Sequence, residues 1–187
     1  MEIQIQPMTQ EAAARISTWR YPAPYDFYSM AADEEDILEL MNGDYSAASD
    51  SAGNLVGFYC TGNSARVAGG YGAGLYEDDT CVDYGLGMNP ELTGQGAGLD
   101  FVKAGMAYVS DKFPGKGIRL AVAKFNQRAA KVYSRAGFRE TCEFSSMVGG
   151  ETCSLSVWYT DFPKMPGQHD IITPGLTAPD GTSPGSH

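Results

Sequence analysis

Histidine is almost missing from this chain of 187 residues, which holds only His169 and His187, both near its end. Cysteine is sparse too: Cys60, Cys81, Cys142 and Cys153 stand singly, with no CxxC pair and no Cys/His cluster. Zinc-ligand spacing is therefore absent, and no metal site is expected. Lone thiols within apolar segments read as reduced and buried, the ordinary state in a cytoplasmic protein. No apolar run is long enough to span a bilayer, and Met1-Glu2-Ile3-Gln4 lacks the charge and apolar stretch of a secretory signal. The expectation is a cytoplasmic protein with no membrane partner.

Basic residues are also in short supply, 13 Lys and Arg against 23 Asp and Glu, for a net charge of −10. Their distribution is uneven. Residues 1–98 hold only Arg15, Arg20 and Arg66 against fifteen acids, a balance of −12, whereas residues 99–140 hold nine bases against three acids, +6. Such segregation fits an anionic ligand on the basic part and a cationic one near the acidic part, or an ordinary solvated surface. No basic surface interleaved with aromatics stands outside that part, so no nucleic-acid partner is expected.

The informative run is Val82-Asp83-Tyr84-Gly85-Leu86-Gly87-Met88-Asn89-Pro90-Glu91-Leu92-Thr93-Gly94-Gln95-Gly96-Ala97-Gly98-Leu99. A strand-like stretch ends at Pro90, three alternate glycines follow, and Leu99, Val102, Met106 and Val109 then recur at helical spacing. A strand, a glycine loop and a helix start bind a pyrophosphate, because free N–H groups and the helix dipole both face the anion. A Walker loop would end in Gly-Lys-Ser/Thr, but Gly98-Leu99-Asp100 stands here. A dinucleotide fingerprint reads Gly-x-Gly-x-x-Gly with a carboxylate after the next strand. Here the spacing is even, and Ile118 to Ala123 leads to Lys124. Both nucleotide readings fail.

The frame Thr93-Gly94-Gln95-Gly96-Ala97-Gly98 resembles the acyl-CoA loop of the GNAT superfamily of acetyl-CoA dependent N-acetyltransferases, Gln/Arg-x-x-Gly-x-Gly/Ala, with Thr93 at the usual Gln or Arg. A second block, Asn126-Gln127-Arg128-Ala129-Ala130-Lys131-Val132-Tyr133-Ser134-Arg135-Ala136-Gly137-Phe138, is similar to the family's Asn-x-x-Ala-x-x-x-Tyr-x-x-x-Gly-Phe segment. Asn126 is also a good helix N-cap and Gly137 a good helix stop on physical grounds. The resemblance covers residues 80–140 firmly, and it is similar to the ribosomal-protein N-terminal acetyltransferase branch.

That resemblance implies an α+β fold, with a mixed, mostly antiparallel sheet of about six to seven strands containing a splayed parallel pair, flanked by about four helices. It implies acetyl-CoA as donor and a primary amine of a small molecule or protein N-terminus as acceptor, in a monomer or homodimer; the alternative is a catalytically weak acyl-CoA-binding or regulatory module. Cofactor contacts are implied at Leu86, Gly87, Met88, Thr93, Gly94, Gln95, Gly96, Ala97, Gly98, Leu99 and Asn126, with Lys124, Arg128 and Lys131 near the 3′-phosphate. Tyr133 takes the family's general-acid position, the bland alternative being a tyrosine packed on the sheet. Asp83 is the first candidate for general base and Glu91 the second, with solvent-facing roles as the alternatives. Trp19, Tyr21, Tyr25, Asp26, Phe27 and Tyr28 form a proline-interrupted loop that either borders a cationic acceptor or anchors itself to the core.

Other elements are expected as a strand at Ile3-Gln4-Ile5, helices from Thr9 to about Trp19 and from Asp33 to near Gly43, strands at Tyr45–Ala48 and Leu55–Thr61, and a closing hairpin across Gly149-Gly150. Arg66 to Asp79 is glycine-rich and reads as loop. The chain divides into one domain, 1–162, and a Pro/Gly/Ser-rich tail, 163–187, that buries too little to be ordered.

Overall fold

The computed structural model describes residues 2–148 and 150–160; the expected tail lies outside them. The strands are β1 (Gln4–Pro7), β2 (Tyr45–Ser49), β3 (Leu55–Thr61), β4 (Cys81–Met88), β5 (Gly117–Ala123), β6 (Arg139–Val148) and β7 (Glu151–Tyr159). The helices are α1 (Gln10–Ser17), α2 (Glu34–Leu40), a short α3 (Ala68–Gly72), α4 (Gly98–Lys112) and α5 (Gln127–Ala136). All seven strands form one sheet in the order β1-β2-β3-β4-β5-β7-β6, in which β4 and β5 are parallel and every other pair is antiparallel. This is the expected α+β architecture.

Side-chain alternation decides the layers. Val56 joins one core cluster with Tyr59, Val82, Tyr84, Phe101, Val102, Ile118, Val122, Tyr133 and Trp158, where α4 and α5 cover the sheet. Its neighbour Leu55 points the other way, into a cluster with Ala13, Ile16, Leu40 and Tyr45 under α1 and α2. The helix ends are locally encoded. Thr9 Oγ1 accepts the Ala12 N–H at 3.2 Å, Asp33 and Asp36 form a reciprocal capping box, and Gly137 stops α5 at φ +102°.

The segment read as loop departs from expectation. Gly69 packs so closely on the Ser145 backbone that a Cβ would not fit, and its N–H donates to Ser146 Oγ at 3.0 Å. That contact with β6 lets a glycine-rich stretch hold the turn of α3 despite its poor helix propensity.

The feature that shapes the site is a gap inside the sheet. β4 and β5 pair only at Cys81–Gly117, Val82–Ile118 and Asp83–Arg119. Beyond that point, residues 84–88 pair with β3 alone and residues 120–123 with β7 alone. The parallel pair therefore opens as a wedge.

Candidate active site

The loop after β4 is built from turn-forming residues. Asn89 Oδ1 accepts the Glu91 N–H at 3.0 Å, and Thr93 Oγ1 donates to the Pro90 carbonyl at 2.8 Å. Gly94 and Gly96 have φ of +80° and +87°, in the left-handed region where side chains with a Cβ are strained. The alternate glycines thus turn the chain into α4 without a capping side chain. Among the described residues, the N–H groups of Gln95, Gly96, Ala97, Gly98 and Leu99 meet no acceptor. They form a cradle of donors at a helix N-terminus. Thr93 does not belong to it, because its N–H also donates to the Pro90 carbonyl. Both Thr93 donors thus close the loop, and the cofactor contact expected there would not come from its N–H.

Backbone direction selects among the expected contacts on β4. The Asn89 N–H donates to the Val56 carbonyl of β3 at 2.8 Å. Strand alternation then turns the N–H and C=O of Leu86 and Met88 away from β3, into the wedge, and those of Gly87 toward β3. Gly87 is therefore not a wedge donor, which corrects that expectation.

Tyr133 lies on the sheet face of α5, only 8% exposed, with ring contacts to Phe138 and Trp158 at 5.9 and 6.4 Å. Burial pushes its pKa up, the nearby Tyr28 hydroxyl adding to the effect, so the group keeps its proton. Among the described residues its hydroxyl makes no hydrogen bond. Tyr84, the first residue of the open part of β4, shares its cluster.

The aromatic loop closes the wide end of the wedge. Tyr21 Oη donates to the Met88 carbonyl at 2.8 Å, and Asn126 Nδ2 donates to Tyr28 Oη at 3.2 Å. Phe125, between β5 and α5, sits 6.3, 5.6 and 6.1 Å from the rings of Tyr25, Phe27 and Tyr28. Trp19 instead stacks on Phe58 of β3 at 6.4 Å, apart from that group, and Asp26 is exposed.

The family profile described as an acetyltransferase (GNAT) domain matches residues 2–139. The chain belongs to the GNAT acetyltransferase family. A solved chimera of the Vibrio cholerae spermidine N-acetyltransferase SpeG with hSSAT is 16% identical, covering 86% of this chain and 95% of that one, with a TM-score of 0.64. A GNAT-family acetyltransferase from Bacillus anthracis is 15% identical, covering 85% and 94%, with a TM-score of 0.63. At such identities these likenesses report the fold. Among curated proteins no sequence matches. The match is to the domain as a whole and does not single out the ribosomal-protein branch.

Within this acetyltransferase, Asp83 is not the free carboxylate that a general base requires. It is 4% exposed at the closed end of the wedge. Its Oδ1 accepts from Arg119 Nε at 2.6 Å and its Oδ2 from Arg66 Nε at 2.7 Å. Arg119 also donates to the Leu75 carbonyl and stands over the rings of Tyr76 and Tyr159. A carboxylate with a guanidinium on each oxygen is a buried ion pair, which overturns the base assignment. Glu91 is exposed on its turn.

Two of the three basic residues expected near the 3′-phosphate have contacts within the chain. Lys124 pairs with Glu140 at 3.2 Å and with Glu143. Arg128 lies over the Tyr25 ring at 4.2 Å. Lys131 lines a cavity of about 220 Å³ with Gln127, Ala130 and Ser134, on the flank of α5 away from Val132, which faces Gly98. Helical phase separates it from the donor cradle. Sequence reading missed Phe125, Arg66 and Arg119. Only Phe125 carried a local signal, as an aromatic beside the Asn126 cap.

Among the described residues no helix is long and apolar enough to cross a membrane.

Proposed function

We propose that this GNAT acetyltransferase transfers an acetyl group from acetyl-CoA to a primary amine by direct attack in a ternary complex. The observation that carries the reading is the β4–β5 wedge, with unpartnered N–H groups of 95–99 in the loop that follows its open strand and the buried, protonated Tyr133 in one core cluster with Tyr84 of that strand. Acetyl-CoA supplies the activated thioester. The chain would hold its pyrophosphate on the N–H groups of Gln95 to Leu99. The N–H groups of Leu86 and Met88, fixed by β3 pairing, would face the thioester carbonyl and stabilise the charge that grows on its oxygen. The amine would attack as the free base, its ammonium proton having passed to solvent. As the C–S bond breaks, Tyr133, kept neutral by burial, would give its proton to the leaving sulfur, and the proton left on the new amide nitrogen would return to the Tyr133 oxygen.

The acceptor side is the face closed by Tyr21, Tyr25, Phe27 and Tyr28. A cationic amine fits it best, because rings attract a cation and the N-terminal part carries the −12 balance. The SpeG structures are named for a spermidine N-acetyltransferase, which supports that choice of acceptor class. Calorimetric titration with acetyl-CoA, ATP and NAD tests the donor: saturable binding of acetyl-CoA alone is expected, and preference for either nucleotide overturns the reading.

A further inference from the structure

The family resemblance assigns Asn126 to the cofactor, but its hydrogen bonds run elsewhere. Its Oδ1 accepts the Ala129 N–H at 3.1 Å and caps α5. Its own N–H donates to the Ala123 carbonyl at 2.8 Å, and its carbonyl accepts from Ala130 at 3.1 Å. The cap fixes the side chain, and the amide nitrogen then meets the Tyr28 hydroxyl at 3.2 Å. On one side of Asn126, Phe125 gathers the rings of Tyr25, Phe27 and Tyr28; on the other, Arg128 covers Tyr25. Residues 125, 126 and 128 thus form a socket for the aromatic loop at the start of the helix that carries Tyr133.

We propose that Asn126 is a positioning residue for the acceptor: it holds the aromatic loop against α5 through Tyr28, and cofactor binding does not depend on it. The inference rests on the proposed function only in taking the loop as the acceptor border. The donor cradle meets α5 one turn beyond the socket, where Gly98 stands beside Val132, and among the described residues no hydrogen bond of the loop reaches residues 95–99, so freeing the loop changes acceptor binding and leaves the cradle as it was. The Tyr28 hydroxyl can both donate and accept, so it suits either partner geometry.

The test uses Asn126→Ser, Asn126→Asp and Tyr28→Phe in the full chain. Serine and aspartate both cap a helix well, but serine is too short to reach Tyr28, whereas the second oxygen of aspartate can accept from its hydroxyl. Amide exchange of the 19–28 segment should quicken by about 3- to 10-fold in Asn126→Ser and Tyr28→Phe, the effect of one lost neutral hydrogen bond. Asn126→Asp should stay near wild type, the double variant should be no worse than either single one, and exchange in α5 should not change. Acetyl-CoA affinity should be the same throughout, while KM for spermidine as probe amine rises in the two loosened variants with kcat held. A purely capping role predicts three indistinguishable variants, and that result overturns the proposal. So does a loss of acetyl-CoA affinity in Asn126→Ser. If spermidine is not turned over, the acceptor reading fails by itself and the exchange data still decide the role of Asn126.

Discussion

Arg119 Nε donates to Asp83 Oδ1 at 2.6 Å across the last register of the parallel pair, so the buried charge pair stands where the wedge begins to open. Arg66 closes the other oxygen from the segment that carries α3. Removing the carboxylate would leave Arg119, 2% exposed, without its counter-charge. Asp83→Ala should therefore destabilise the fold by about 3–5 kcal/mol, measured by urea unfolding. Turnover per folded molecule should fall far less than in a variant of the proton donor. A stable Asp83→Ala protein with no turnover would return Asp83 to the chemistry.

Tyr133→Phe should behave in the opposite way. The hydroxyl has no hydrogen-bond partner among the described residues, so its removal leaves no buried group unpaired, and stability should be unchanged or slightly raised. Single-turnover rates should drop by about 10- to 1000-fold, the range for losing a positioned proton donor. An unchanged rate would make Tyr133 a packing residue alone.

Gly96→Val tests the donor cradle. No atom lies within 4 Å of an added Cβ, so space is not the obstacle; the φ of +87° is. A β-branched residue in that region costs more than the roughly 1–2 kcal/mol of an ordinary side chain and will re-aim the neighbouring N–H groups. Acetyl-CoA affinity measured by calorimetry should fall by at least about tenfold, with the melting transition retained. Wild-type affinity would contradict the cradle.

Alkaline stability follows from the tyrosines. Burial pushes Tyr21 up to about 12, and Tyr45, Tyr59, Tyr84 and Tyr133 are raised by the same cause. A raised folded-state pKa means that the native chain keeps protons the unfolded chain releases. The stabilisation is complete below the unfolded value near 10 and is lost as pH climbs toward the folded values. Urea midpoints should fall steadily above about pH 10, and a flat profile there would contradict the burial of these hydroxyls.

Which features were legible in the sequence follows from how local their causes are. The glycine loop, the Asn126 cap and the Gly137 stop depend on contacts within four residues, and the structure forms each as expected. Asp83 was opaque because its partners are 17 and 36 residues away, joined to it only by sheet register and the packing of α3. Lys131 shares a motif with Tyr133, yet two residues along a helix turn its side chain onto another flank, which the motif alone does not show. The roles of Leu86 and Gly87 separate only through backbone pairing with β3, which side-chain identity does not encode.

The central claim is tested most directly by thiol release from acetyl-CoA over a panel of cationic, neutral and anionic primary amines, comparing wild type with Tyr133→Phe. The account predicts amine-dependent release that is largest with cationic acceptors, is cut by the substitution, and has a kcat/KM that falls as salt screens the acidic surface over about 8–10 Å. Acetyl-CoA binding without thiol release for any amine would contradict it, leaving a GNAT-fold acyl-CoA-binding module.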